Sequence, residues 1–280
     1  MIIVSGADSA FYNLLHDLIM SIRQDETGKN VFIGVFDLGL ESSHINWLEK
    51  HVNKIIKPDW DINVPESLKQ KKELLSLTAR PFLPKYFPGF EVYIWIDADA
   101  WVQQFRGVDY YYKAANIAEL AVAAHIDRSY RTKTETWKWR YDRLKLSFGK
   151  QAAQICLSYP YVNAGVIAAR GNSKIWRKWG IALQDGVKRG GIICDQSALN
   201  YSIWINKVDT EILPSLCNWQ CHLALPKWDR EKKMFCEPYF PYTPLGLIHL
   251  TWDTKTQEYD IKIIQGGTMR TQLRYRNLSG

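Results

Sequence analysis

No apolar run in this chain approaches the ~20 residues that a membrane-crossing helix needs. The N-terminus "MIIVSGADSAFYN" also lacks the basic stretch that opens a secretory signal, and it enters a strand pattern at once. Both absences favour a cytoplasmic protein. Repeats and low-complexity tracts are missing too, so solenoid and disordered classes fall away. Cysteine is scarce. Cys156, Cys194, Cys217, Cys221 and Cys236 make an odd count, which suits reduced thiols better than a disulfide framework. "CNWQCH" with Cys236 sets cysteines beside a histidine, but its spacing and the lack of a second pair make a poor zinc motif.

What is present reads as one large α/β domain. A chain of 280 residues, 46% hydrophobic, can bury a substantial core. Twelve tryptophans and 15 tyrosines suit sugar-facing surfaces, but they suit a large core equally. The net charge of +7 points to an anionic partner: nucleic acid, nucleotide phosphates or an acidic membrane face.

Apolar spacing predicts strands at residues 2–6 and 31–36, at "KIIK", and at 91–96. Helices are expected at 9–24, at "INWLEKHV", and from Glu66 onward with interruptions at Pro81 and Pro84. The second half offers strands at 119–127, 161–170 and 246–252, and helices at 173–189 and 195–206. Strands alternating with helices imply a mostly parallel sheet, whose ligands gather beyond the carboxyl ends of its strands. No linker divides the chain.

At one such end stands "VYIWIDADAWVQ", where Asp97 and Asp99 close a run of β-formers. Two carboxylates that close repel one another unless they sit in water or share a cation. A divalent cation held there could bind a diphosphate and neutralise a departing nucleotide. The bland alternative is a solvated strand end, which the apolar residues on both sides disfavour.

Five segments in order, "IIVSGADSAFYN", "TARPFLPKYF…VYIWIDADAWV", "YVNAGVIAAR", "DQSALN" and "LIHLTW", resemble the glycosyltransferases of family 8. That group contains bacterial lipopolysaccharide galactosyl- and glucosyltransferases and the glycogenins. The resemblance covers residues 2–252 and implies a GT-A fold, a Rossmann-like α/β/α sandwich in a single domain. Residues 1–110 would form the nucleotide-sugar half, 111–252 the acceptor and sugar half, and 253–280 a basic tail. It implies a UDP-sugar donor and Mn²⁺ or Mg²⁺ on Asp97, Asp99 and His249. Ala7, Asp8, Arg80, Asp97, Ala98, Asn163, Ala164 and Gly165 would bind the nucleotide sugar, and Asp195 and Gln196 would stand at the reacting carbon. Taken by themselves, Asp8 and Asp195 read equally well as helix caps.

Two departures from the family leave the donor hexose open. Ser197 stands where an acid is common, and "HLTWDTK" lacks the Lys-Pro before Trp252, with Lys255 the nearest substitute. The expected activity is retaining transfer of a hexose to a glycan or lipid-linked saccharide of the surface-polysaccharide type. No nucleic-acid partner is expected.

Residues 128–150 hold eight Lys/Arg against two acids, interleaved with Tyr130, Trp137, Trp139 and Tyr141. They could meet an acceptor glycan or the inner face of an anionic membrane. Two other readings compete with the transferase. One is a non-catalytic glycan- or nucleic-acid-binding protein. The other is a D-x-D phosphohydrolase, although such a loop follows a first strand and has Thr or Val where Trp101 stands.

Overall fold

Alternation of apolar residues along the strands decides the architecture. Ile2, Val4, Tyr93, Trp95 and Ile167 face one core, and Ile3, Ile94, Ile96, Val166 and Ala168 face another. A sheet apolar on both faces must be covered on both. The computed structural model describes residues 1–277, so the last three residues of the expected basic tail lie outside the described residues.

The central sheet is built from β1 (Ile2–Ala7), β2 (Phe32–Asp37), β3 (Lys54–Ile56) and β4 (Val92–Ile96). A short β5 (Ala100–Val102) leaves it, and β6 (Leu120–Ala124), β7 (Val162–Arg170) and β8 (Thr210–Leu213) complete it. The strand order is β3-β2-β1-β4-β7-β6-β8. All neighbours pair parallel except β7, which runs antiparallel to β4 and β6. The result is a mostly parallel sheet, as the pattern implied, in the α/β/α sandwich that the resemblance implied.

On one face, α1 (Tyr12–Arg23) packs Leu15, Leu18, Ile19 and Ile22 into the core. The chain then passes through α2 (Ser42–Leu48). The helix expected from Glu66 comes apart into α3 (Glu66–Lys69), α4 (Leu75–Ala79) and α5 (Leu83–Tyr86), with a 3₁₀ turn at Arg80–Phe82. Pro81 and Pro84 lack the N–H that a continuous helix needs and constrain the residues before them. That break leaves Arg80 buried beside the carboxyl end of β4.

Next come α6 (Arg106–Ile117), α7 (Thr134–Phe148) and α8 (Lys150–Ser158). The expected division at residue 110 falls inside α6, which packs on β7 and β6. Opposite α1 lie α9 (Lys174–Gly190) and α10 (Asp195–Trp204). The α9 helix starts at Ser173, whose side chain accepts the Ile175 N–H, and stops at Gly191 in the left-handed conformation (φ 64°).

A second, smaller sheet carries the remaining site residues. After β9 (Trp219–Gln220) come the hairpin β10 (Lys227–Asp229) and β11 (Met234–Cys236), then β12 (Leu247–His249). The order is β5-β12-β9, and the register sets His249 opposite Ala100 and Gln220. A final hairpin, β13 (Tyr259–Lys262) and β14 (Thr268–Thr271), closes over a core of Trp101, Trp219, Phe235 and Ile248. The expected basic tail is tied down: Trp101 Nε1 donates to Leu273 O (2.9 Å), and Arg274 and Arg276 both reach Asp17. No helix among the described residues is long and apolar enough to cross a membrane.

Candidate metal and donor site

The β4 ladder with β7 extends one residue past its end, where the Asp97 N–H donates to Gly165 O (2.7 Å). The chain then turns, and Leu250 N–H donates to Asp99 O (2.8 Å) from the strand paired with β5. Two sheets thus deliver Asp97, Asp99 and His249 to one point, with one ligand atom from each within 4.8 Å of the others. His249 Nε2 lies 3.1 Å from Asp99 Oδ1 and 3.9 Å from Asp97 Oδ2.

The network behind His249 fixes the orientation of its ring. Nδ1–H donates to Asn218 Oδ1 (2.9 Å), while the Asn218 amide donates to Asn163 Oδ1 (3.0 Å). Gln220 Nε2 stands 3.0 Å from the same Nδ1 and donates to Asn218 Oδ1 (3.1 Å). With Nδ1 engaged from behind, Nε2 faces the two carboxylates, where a cation held among the three would make their closeness favourable. Burial raises the Asp97 carboxyl, Arg80 opposes this, and Asp99 raises it further, so the net direction is upward. Burial works the same way on Asp99, but His249 and Lys255 hold it below the ordinary carboxylate range. Two acids and an imidazole with a backed Nδ1–H fit a hard-to-borderline divalent ion such as Mn²⁺ or Mg²⁺.

Arg80 ties the cluster to α10. Its Nη1 donates to Asp195 Oδ2 (2.7 Å), its Nη2 reaches Asp97 Oδ1, and its guanidinium lies 4.8 Å over the Trp95 ring. Trp95 Nε1 also donates to Asp97 Oδ1 (2.7 Å). The Arg80 Nε is buried without a partner. Asp195 is therefore no N-cap. Cys194 holds that place, and the Asp195 carboxylate is drawn to the guanidinium. Asp8 does serve the helix start locally, its Oδ1 accepting the Phe11 N–H (3.0 Å) ahead of α1.

Ala7, Asp8, Arg80, Asp97, Ala98 and Asp99 line one cavity of about 190 Å³ at the carboxyl ends of β1 and β4. Asn163 joins Asp97, Asp99, His249 and Lys255 around an adjoining opening. Gln196 Oε1 accepts from Asn163 Nδ2 (3.0 Å) and from the Ala164 N–H (3.2 Å). A Cβ on Gly165 would come within 2.6 Å of Asp97 Oδ2, so this strand must be bare beside the carboxylate.

All twelve residues singled out from the sequence thus lie in one connected neighbourhood. Sequence reasoning missed Trp95, Asn218 and Gln220, and it left Lys255 unassigned. Lys255 Nζ is 2.9 Å from Asp99 Oδ2. The zinc alternative does not assemble: all five cysteines are free and buried, and Asp97, Asp99 and His249 form the one candidate metal group among the described residues.

Solved glycosyltransferase structures share this fold. The galactosyltransferase LgtC, in complex with donor and acceptor sugar analogs, superposes with a TM-score of 0.56 at 14% identity, over 91% of this chain and 88% of that one. An active-site mutant of LgtC gives 0.54 at 14%, over 89% and 86%. The bifunctional glycosyltransferase WbbM, in its apo form, gives 0.53 at 15%, over 90% of this chain and 46% of that one. At such identities the likeness establishes the GT-A α/β/α fold. No protein-family model matches the sequence, and no curated protein matches it.

Proposed function

We propose that the chain is a metal-dependent glycosyltransferase that moves a hexose from a UDP-sugar to a glycan or lipid-linked saccharide. The carrying observation is the Asp97–Asp99–His249 cluster, flanked by Arg80 and Lys255, at the strand ends of a fold shared with glycosyltransferases. Asp97, Asp99 and His249 would hold Mn²⁺ or Mg²⁺, which supplies Lewis-acid stabilisation of the departing diphosphate. The nucleoside would enter past Ala7 and Asp8, and the sugar would lie toward Asn163, Ala164, Gly165 and Gln196. Arg80 and Lys255 add fixed positive charge where the leaving group gains negative charge.

Asp195 is committed to Arg80 and is only 5% exposed, which argues against its acting as a covalent nucleophile. Front-face transfer with retention fits better. The bond from the anomeric carbon to the UDP oxygen breaks, and the bond to the acceptor oxygen forms on the same face. The acceptor's proton passes to the leaving phosphate oxygen. Asp195, through Arg80, and Gln196, held beside Asn163 and Ala164, position the sugar. The outward side of α7 exposes Trp137 and Leu146 among lysines and arginines, and we assign it a peripheral contact with an anionic membrane.

UDP release from a panel of UDP-hexoses tests this reading. Activity with Mn²⁺ should fall at least a thousandfold in EDTA and in the Asp97→Ala, Asp99→Ala double variant. Activity that survives both would defeat the metal-centred reading.

A further inference from the structure

Amide side chains gather where the two sheets meet: Asn163 on β7, Gln196 and Asn200 on α10, and Asn218 and Gln220 at β9. An amide has a donor end and an acceptor end, so its direction follows from what it faces. Backbone groups settle two of them. The Gly165 N–H donates to Asn163 Oδ1 (2.9 Å), and the Ala164 N–H donates to Gln196 Oε1 (3.2 Å). With its oxygen so placed, Asn163 turns Nδ2 to Gln196 Oε1 (3.0 Å). The Asn218 atom that meets Asn163 Oδ1 at 3.0 Å must then be Nδ2. That leaves Asn218 Oδ1 toward His249 Nδ1 (2.9 Å) and Gln220 Nε2 (3.1 Å). Two backbone N–H groups of β7 thus set the direction of the amides that run from Gln196 to His249.

Both ends of this run are anchored on β7. Asn200, one turn after Gln196, accepts the Val162 N–H (3.0 Å) and donates to Val162 O (3.1 Å), which clamps α10 to the strand. Asn218 is 2% exposed, so a bond broken here leaves a buried polar group unpaired. Its backbone N–H is satisfied by Ser215 O (2.9 Å), and pairing with β12 begins at Trp219. The side chain is therefore not what holds the small sheet together. It spans instead from the strand of Asn163, Ala164 and Gly165 to the ring of a candidate metal ligand.

Resting on the transferase reading, we propose that Asn218 is a positioning residue that holds His249 and Gln196 in one fixed relation through Asn163. A side chain at 218 without a hydrogen to give would set two acceptors together at Asn163 Oδ1. Asn163 escapes by turning over, which takes its oxygen from the Gly165 N–H and its amide from Gln196. A fault beside the metal ligand is thereby delivered to the sugar side.

Asn218→Asp separates the two ends, because its carboxylate still offers an oxygen to His249 Nδ1 but has no hydrogen for Asn163. Mn²⁺ affinity in the presence of UDP, followed by electron paramagnetic resonance, should be unchanged or tighter, since a carboxylate behind a ligating histidine strengthens it. In the metal-free protein, exchange of the Gly165 N–H, followed by NMR, should quicken about tenfold or more while the rest of β7 keeps its protection. With the best substrate from the UDP-hexose panel, kcat should fall about tenfold or more at unchanged UDP affinity. Asn218→Leu serves neither neighbour and should lose Mn²⁺ affinity as well. An unchanged kcat or an unchanged Gly165 exchange in Asn218→Asp overturns the proposal. So does Mn²⁺ affinity that falls in step with kcat there, the mark of general damage. If Asn218→Asp does not fold, unchanged kcat or Mn²⁺ affinity in Asn218→Leu is the overturning result. Unsubstituted protein that binds neither UDP nor Mn²⁺ sinks the transferase reading, and this role with it, whatever the Gly165 exchange shows.

Discussion

Arg80 neutralises two acids that would otherwise face each other across α10 and β4, Asp195 and Asp97. Removing one partner of a buried charge network is costly because the others stay buried. Arg80→Met should lower unfolding stability by about 3 kcal/mol at neutral pH, read from urea denaturation. A loss well under 1 kcal/mol would mean that the acids are already neutral. Gly165 is constrained from the other side. A methyl there meets Asp97 Oδ2, so Gly165→Ala should cut Mn²⁺-dependent UDP release at least tenfold with the fold intact by circular dichroism. The cysteines make a quieter statement: burial pushes Cys156 and Cys217 up to about 12 and Cys236 up to about 11. Native protein at pH 8 should therefore show almost no thiol reactive toward Ellman's reagent, and all five should react after denaturation. Rapid modification of the native protein would contradict the burial.

Helix α9 illustrates how an element is held by a residue outside it. Glu119 accepts from the Ser173 hydroxyl (2.7 Å) and the Lys174 N–H (2.8 Å), placing negative charge at the helix start. The Ser173 bond first, and then Lys174, hold its carboxyl below the ordinary range. A depressed folded pKa contributes stability above the unfolded value, and that contribution fades as pH falls through the folded value. Glu119→Gln should thus cost about 1 kcal/mol at pH 7 and progressively less below pH ~4, in paired urea titrations. A loss independent of pH would assign the effect to packing. The sequence carried the helices and strands whose apolar spacing is local, including α9 and the strand that ends at Asp97. It could not show the β5-β12-β9 sheet, because strands of two or three residues have no period of their own and pair across long separations. Asn218, Gln220 and Lys255 reach the cluster only through that sheet and the turn after it, so no local pattern marked them.

At the scale of the whole molecule, the +7 charge is divided by the fold. Arg274 and Arg276 are spent on Asp17, while the 128–150 stretch keeps most of its cations at the surface. Association with vesicles rich in phosphatidylserine should therefore be measurable at low salt and fade at a few tenths molar, as screening shortens to below ~8 Å. Indifference to such vesicles in flotation would remove the membrane contact from the account. The small sheet carries His249 and the large one carries Asp97, so the candidate metal site also tests how the two are joined. The most direct measurement is a Mn²⁺ titration followed by the electron paramagnetic resonance signal of the free ion, with and without UDP. The account requires one site per chain, tightened by UDP and lost in Asp99→Asn and His249→Ala. Mn²⁺ that stays free at millimolar protein with UDP present, or a site that survives both substitutions, would contradict it.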